Sequence, residues 1–357
     1  VRTAFHVVGT GWRAEFFLRI AQALPERFEV RAVLARSASR AAGLTTTFGV
    51  PVVDDPCELR GFGTVDFAVV SVPASSAPAL TTSFVGSGIP VLTETPPAPD
   101  LPGLLALYDE LGATAPVRVA EQYRHQPHHA ARLALAGSGL IGPVTYTRIS
   151  VAHGYHAMSL VRLALGTEMA APVVRAVRFA DPAVRPHDRD GWRDELTVEP
   201  GTNTIATLDF GDRTAVYEFS GEQYLSPIRG RHLAIRGERG EIVDDQLSYV
   251  RGPRDVVRST IRRDDTGRDG DLAGLCLREL TCDGRRVWQN PFGTARLSDD
   301  ELAGAAILAE MADFVRTGRG GYGLVDAAQD QYLSLLVDEA ARSGTPLAGT
   351  SQPWAHT

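Results

Sequence analysis

The residues with the most specific chemistry stand near the start of the chain. Gly9, Thr10, Gly11, Trp12, Arg13 and Ala14 spell GxGxxA after a short apolar run and before an amphipathic stretch. In that setting the first glycine lets a strand turn sharply, the second lets a pyrophosphate approach the backbone, and the small Ala14 lets helix and sheet pack closely. Orphan N–H groups at the helix start then face the anion. The spacing predicts a dinucleotide site rather than a structural glycine turn. At the end of the next strand, an acidic residue would accept the ribose 2′-hydroxyl and repel a 2′-phosphate. This chain has no carboxylate there, because the run is Ala35, Arg36, Ser37, Ala38, Ser39 and Arg40. Arg36 and Arg40 supply charge and Ser37 a donor, so the expected cofactor is NADP(H); NAD(H) is the alternative if these arginines are only solvated.

Five histidines, His125, His128, His129, His153 and His156, fall between positions 125 and 156. Their spacing fits no zinc-protease pattern. His128 and His129 open a helix and face different directions, while His153 and His156 read as the end of a strand. No metal site is expected, and the imidazoles are assigned to substrate hydrogen bonding or the surface. Tyr224 follows a strand candidate at 216–219 and is a candidate for the border of a substrate pocket. Trp288, Asn290, Pro291 and Phe292 read as a structural turn or subunit contact, and Pro353 and Trp354 as an anchor for the tail, on a neighbouring subunit in one reading.

The elements that must position these residues alternate. Strands are expected at 3–9, 30–35, 50–53, 65–72, 90–93 and 117–121, with helices at 15–24, 39–48, 77–86 and 104–111. That order gives an α/β fold with a parallel, doubly wound sheet, a Rossmann dinucleotide-binding domain over 1–121. Ser71, Val72 and Pro73, and Glu94 and Thr95, follow two of these strands and are assigned to the cofactor as well. Beyond residue 121 the pattern changes to a helix at 132–140 and strands at 144–152, 173–179, 204–210, 214–219 and 232–236, with a hairpin at Gly211 and Asp212. Helices return at 299–317 and 324–343. The second domain, 122–357, is expected to be α+β and to serve substrate and oligomer contacts, with a C-terminal helix packing back on the first domain; 251–271 reads as a charged loop.

A chain of 357 residues predicts two domains. With 44% hydrophobic and 22% charged residues it is neither disordered nor a coiled coil. The balance of 36 basic and 43 acidic residues offers no basic footprint for nucleic acid. All 36 basic residues are arginine, which excludes Schiff-base, pyridoxal-phosphate, Walker-type ATPase and protein-kinase chemistry, since each needs a lysine amine. Abundant Ala, Gly and Arg point to compositional bias as the origin. Cys57, Cys276 and Cys282 form neither a CxxC pair nor an even disulfide framework, so a reducing, cytoplasmic setting is expected. No apolar run approaches a membrane span and no signal-peptide cleavage site is evident, so no membrane partner is expected.

Several motifs occur together with the glycine loop. They are Glu94, Thr95 and Pro96; Tyr123, Arg124 and Pro127; the run GSGLIGPV from 137 to 144; and His153, Gly154, Tyr155 and His156. On these the chain resembles the glucose–fructose oxidoreductase/inositol dehydrogenase family, Gfo/Idh/MocA, over almost its whole length. The resemblance implies a Rossmann domain followed by a domain built on an open, mostly antiparallel sheet that often forms the interface of a homodimer or homotetramer. It also implies a Glu-Lys-Pro triplet whose lysine touches the nicotinamide ribose, and a histidine acid/base flanked by two aspartates. Here the lysine is Thr95, and the aspartates are Ala152 and Ser159. His156 takes the acid/base role, with Tyr155 and His153 relaying or polarising and Tyr123 and Arg124 orienting substrate hydroxyls or a carboxylate. Glu94 and Tyr224 border the substrate. The implied function is NADP(H)-dependent hydride transfer to or from a sugar, polyol or related carbonyl or imine. A non-catalytic dinucleotide- or sugar-binding regulator and an NAD-dependent glycoside-cleaving enzyme are the alternatives. Loss of the lysine ammonium weakens alkoxide stabilisation and favours an easily oxidised substrate or the reductive direction, with a keto-sugar or a protonated imine as the fitting substrate.

Overall fold

The computed structural model describes residues 2–188, 191–272 and 274–356. Strands β1 (Thr3–Val8), β2 (Phe28–Leu34), β3 (Val52–Val53), β4 (Phe67–Val70), β5 (Val91–Thr93) and β6 (Val117–Val119) form one sheet in the order β3-β2-β1-β4-β5-β6. Every pairing in it is parallel. The four residues of β4 are fully buried, as a strand covered by helices on both faces requires. Helices α1 (Trp12–Ala23), α2 (Ala38–Phe48), α3 (Ala77–Gly86) and α4 (Leu101–Leu111) alternate with the strands. Helix α1 begins three residues before the amphipathic stretch suggests, because Gly11 is itself its N-cap.

Helix α5 (Pro127–Gly137) starts at a proline, which sits well in a first turn where its missing N–H is not needed. The next strand, β7 (Val144–Ser150), stops earlier than its sequence pattern predicts, and the chain turns into helix α6 (Gly154–Leu165). The placement of His153 and His156 at a strand end is therefore corrected: His153 is the N-cap of α6 and His156 lies in its first turn. From 156 to 165 every residue except Leu163 is buried, so no polar face marks the helical period.

The remaining strands are β8 (Val173–Ala180), β9 (Ala183–Val184), β10 (His187–Asp188), β11 (Gly191–Trp192), β12 (Val198–Glu199), β13 (Thr202–Asp209), β14 (Thr214–Ser220), β15 (His232–Gly237), β16 (Gly240–Val243), β17 (Gln246–Gly252), β18 (Asp255–Thr260), β19 (Arg262–Asp265), β20 (Leu277–Cys282), β21 (Arg285–Gln289) and β22 (Leu347–Ala348). Eight of them join β7 in a nine-stranded open sheet in the order β18-β17-β16-β15-β7-β14-β13-β8-β22, in which β7 and β14 pair in parallel and all other neighbours are antiparallel. Strands β17, β18 and β19 run through the segment read as a charged loop; alternating exposed and half-buried residues on a sheet edge look like loop composition.

Helices α7 (Asp299–Thr317) and α8 (Leu324–Ser343) close the chain. Ser298 and Glu301 form a capping box at the start of α7, and Gly318 ends it in the left-handed region. Both helices reach the nucleotide domain. Arg19 of α1 pairs with Glu301 at 3.3 Å, and the Val119 N–H donates to Tyr322 O at 2.8 Å just before α8. Trp354 is fully buried within its own chain, where its indole N–H donates to Gln329 of α8 at 2.9 Å. Inside, Arg162 of α6 donates to Asp330 of α8 at 2.8 Å and to Asp326 at 3.1 Å, and the Tyr322 hydroxyl donates to Asp330 at 2.6 Å. Breaking one arm would strand a buried charge, so this cluster fixes how α6 lies against α8. No helix among the described residues is long and apolar enough to cross a membrane.

Candidate active site

Strands β1, β4, β5 and β6 all end at one edge of the parallel sheet, and the crevice between β1 and β4 is where the strand order reverses. Gly9 leaves β1 with φ +121°, and a side chain there would bring its Cβ to 2.0 Å from the Ser71 carbonyl oxygen. Gly11 has an ordinary φ of −76°, and nothing lies within 4 Å of where its Cβ would be. The first-turn N–H groups of α1 receive no side-chain cap, so this open space is floored by donors. The loop fits the diphosphate of a dinucleotide.

A Gly11→Ala substitution separates fold from ligand. The backbone accommodates alanine, so stability should stay within about 0.5 kcal/mol of wild type, while nicotinamide-dinucleotide affinity should fall at least about tenfold. Thermal denaturation and calorimetric titration read the two quantities, and unchanged affinity would place the ligand elsewhere.

The other residues assigned to the cofactor divide. Arg40 reaches back over the loop to Thr10 O at 3.4 Å, Arg36 is exposed at the end of β2, and the Ser37 hydroxyl lies 3.2 Å from that of Ser39. Ser71 is buried against Gly9, Val72 is half-buried and Pro73 exposed. Trp12 is exposed at the mouth, edge-on to Phe16. The Arg13 side chain is turned to another use: its guanidinium lies 3.1 Å from Glu94 and 3.4 Å from Asp300 of α7 and packs over Phe16. Burial opposes the Arg13 charge, but the two carboxylates more than offset this and raise its pKa. Burial in turn pushes the Glu94 carboxyl up against the pull of Arg13. Arg13 therefore ties the nucleotide domain to α7, and the other oxygen of Glu94 accepts from the Thr95 N–H at 3.3 Å.

His156, the residue expected to act as acid/base, has a partner that the sequence motifs do not reveal. His156 Nδ1 lies 2.6 Å from Glu121 Oε2, and Glu121 is 1% exposed. Its other oxygen accepts from the Tyr123 N–H at 3.0 Å. The two positions where the family resemblance implies aspartates, Ala152 and Ser159, are fully buried packing positions, and the Ser159 hydroxyl donates to His156 O at 2.9 Å. The carboxylate comes instead from the residues after β6, in the other domain. A lone acid closing an apolar strand just before Tyr123 and Arg124 was the available signal.

With Nδ1 donating to Glu121, the His156 Nε2 carries the lone pair. Around the imidazole stand Tyr155 at 4.4 Å, Tyr123 at 4.5 Å and His153 at 5.3 Å between ring centroids. The Tyr155 hydroxyl donates to Thr95 O at 3.3 Å, which joins α6 to the end of β5. Tyr224 OH accepts from the His153 N–H at 2.8 Å and closes a second, short bond on His153 Nδ1. Burial lowers the His153 pKa to about 4, with His156 adding to the effect, so His153 is neutral near pH 7 and serves as an acceptor rather than an acid. Burial likewise pushes Tyr123 up to about 12 and raises Tyr155 and Tyr224, so all three phenols stay protonated as donors.

Arg124 sits differently from its expected role on the substrate. Its guanidinium pairs with Glu310 of α7 and lies over the Tyr322 ring at 5.1 Å. The five clustered histidines each lie against a protein neighbour: His125 Nε2 is 3.2 Å from the Glu310 carboxylate that Arg124 also engages, His128 meets Asp245 at 3.1 Å, His129 meets Arg132 at 3.2 Å, and His153 and His156 are paired as above. Among the described residues no three His, Cys, Asp or Glu side chains gather as a metal site.

Burial holds His129 at about 3 and His153 at about 4, both below the ordinary imidazole value. Between those values and about 6.5 the unfolded chain binds protons that the native state does not, so stability falls as pH falls. From pH 6.5 to 4.5 the two groups together should remove on the order of 5 kcal/mol. Urea midpoints across that range should show the slope, and His129→Asn should cut it by about half; an unchanged slope in the variant would refute the assignment.

The parallel sheet and the crevice at its strand-order reversal are those of a Rossmann nucleotide-binding fold. Residues 3–119, about a third of the chain, match the Gfo/Idh/MocA profile, described as an oxidoreductase family with an NAD-binding Rossmann fold. No curated protein matches the chain in sequence. Solved structures share its fold end to end. An oxidoreductase from Agrobacterium radiobacter in complex with NAD+, L-tartaric acid and magnesium is 17% identical, with a TM-score of 0.68 and 98% of each chain covered. A myo-inositol dehydrogenase from Corynebacterium glutamicum is 18% identical with a TM-score of 0.66, covering 98% of this chain and 99% of that one. A levoglucosan dehydrogenase in complex with NADH and levoglucosan is 14% identical with a TM-score of 0.70, covering 99% of this chain and all of that one.

Proposed function

We propose that this protein is an NADP(H)-dependent oxidoreductase that moves hydride between the nicotinamide and a sugar, polyol or related carbonyl or imine, with His156 as acid/base. The observation that carries this reading is the buried Glu121–His156 pair beside the ends of β5 and β6. The named substrates of the levoglucosan and myo-inositol dehydrogenases of the same fold support the substrate class by analogy.

Gly9 to Ala14 would hold the diphosphate, and Arg36, Ser37 and Arg40 a 2′-phosphate. The nicotinamide, when bound, donates or accepts the hydride. In oxidation, His156 Nε2 takes the substrate hydroxyl proton, and Glu121 stabilises the imidazolium through Nδ1–H. In reduction the imidazolium returns that proton to the carbonyl oxygen or imine nitrogen. Tyr123 fixes Glu121 through its N–H, while Tyr155 and Tyr224 hold Thr95 and His153 in place. Thr95 supplies no ammonium beside the reacting oxygen, which favours keto-sugars or protonated imines in the reductive direction.

The reading places the domain boundary between residues 121 and 122, the protein in the cytoplasm, and the chain in a homodimer or homotetramer. Its test is a turnover assay with keto-sugars and imines using NADPH and NADH. NADPH should be preferred, and Arg36→Met with Arg40→Met should lower the NADPH-to-NADH ratio of kcat/KM at least about tenfold. A ratio unmoved by both changes would assign the chain to NADH.

A further inference from the structure

A cavity of about 10 Å³, the space of one water, lies beside Glu121 and between the two domains. Its polar lining is Glu121, Arg118, Arg124, Glu310 and Tyr322, and its apolar wall comes from β5 and α7. Three of these polar groups are directed to other partners or can spare only part of their capacity. Arg118 donates to Gly320 O at 2.7 Å and lies 3.5 Å from the Phe314 ring, the Tyr322 hydroxyl serves Asp330, and Glu310 accepts from Arg124. Arg124 Nε, however, is buried and has no protein partner among the described residues. An unpaired donor on a residue that lines a cavity of this size, together with two lining carboxylates, is the arrangement that retains a buried water.

We propose that one water in this cavity links Glu121 to the Arg124–Glu310 pair, and that this pair positions the Glu121–His156 couple and sets its proton affinity. The inference rests on reading His156 as the acid/base. The other charged groups near the couple are paired: Arg13 lies between Glu94 and Asp300, and Arg162 between Asp326 and Asp330, whose carboxyl burial raises to about 7 and which therefore titrates in every variant alike. Tyr123, Tyr155 and His153 face the ring as neutral groups, and His125 shares the Glu310 carboxylate. Arg124 and Glu310 are thus positioning residues, joined to the reaction only through Glu121.

The proposal fixes the signs of two substitutions. Glu310→Gln leaves Arg124 uncompensated near Glu121, which disfavours the imidazolium and lowers the titration midpoint of His156. Arg124→Met leaves Glu310 uncompensated and raises it. Each shift should be about half a pH unit or more, the double variant should return close to wild type, and Arg124→Lys should stay near wild type. The midpoint is read by NMR titration of histidine-labelled full-length protein, with the His156 signal assigned by its loss in His156→Gln. Unmoved midpoints, or singles shifting in the same direction, would overturn the proposal, as would an atomic-resolution crystal structure with a dry cavity. If Arg124→Met does not fold, the Glu310→Gln shift decides alone. Since NMR reads the imidazole itself, this outcome is separate from whether the protein turns over a sugar or an imine.

Discussion

His156→Ala is expected to lower kcat/KM for hydride transfer by about three orders of magnitude, while leaving the affinity for NADP(H) within about twofold of wild type. The size follows from the role. Only one ring nitrogen faces outward from the pair with Glu121, and the surrounding phenols are held protonated, with Tyr123 pushed up to about 12. No neighbouring tyrosine can replace the lost base near neutral pH. Cofactor affinity should survive because the diphosphate loop lies at the ends of β1 and β4, whereas His156 belongs to α6. His156→Gln, which nearly keeps the side-chain volume, guards against a loss caused by the cavity alone. A loss of less than tenfold in both variants would remove His156 from the chemistry.

Glu121→Gln should cost about two orders of magnitude in kcat, because an amide has one acceptor oxygen for two donors. The wild-type carboxylate receives the Tyr123 N–H and the His156 Nδ1–H together. In the variant, one of these donors must face an NH2 group. If that donor is the imidazole, its proton moves to Nε2 and the lone pair that should meet the substrate is lost. If it is Tyr123, the turn before α5 is displaced. Adding Glu121→Gln to His156→Ala should cost almost nothing more, which is the signature of residues acting as one unit. Fully additive losses would show that the two side chains work independently.

The glycine loop and the alternation of strands and helices were legible because each rests on local rules. GxGxxA at a strand-to-helix bend needs no tertiary information, and the buried run at β4 leaves one reading for a parallel sheet. Five strands of the nine-stranded sheet, β7, β8, β13, β14 and β15, followed from alternating residues and turn signals, while β16, β17, β18 and β22 did not. Helix α6 was not legible, since nearly complete burial erases the polar face that distinguishes a helix from an extended apolar run. Glu121 was missed for a related reason. A partner contributed by another domain, 35 positions from His156, has no spacing signature, and its family counterparts direct attention to Ala152 and Ser159. The same limit explains Arg13 and Arg124. Their side chains look free to meet a phosphate or a substrate until α7 brings Asp300 and Glu310 against them.

The account turns on one spatial relation, that a dinucleotide seated on the Gly9–Ala14 loop presents its redox ring to the Nε2 side of His156. A crystal structure of the full chain with NADP(H) tests it most directly. It should show the diphosphate on the first-turn N–H groups of α1 and the nicotinamide beside Thr95, Tyr155 and His156. A diphosphate bound elsewhere, or a nicotinamide ring screened from His156 by protein, would contradict it.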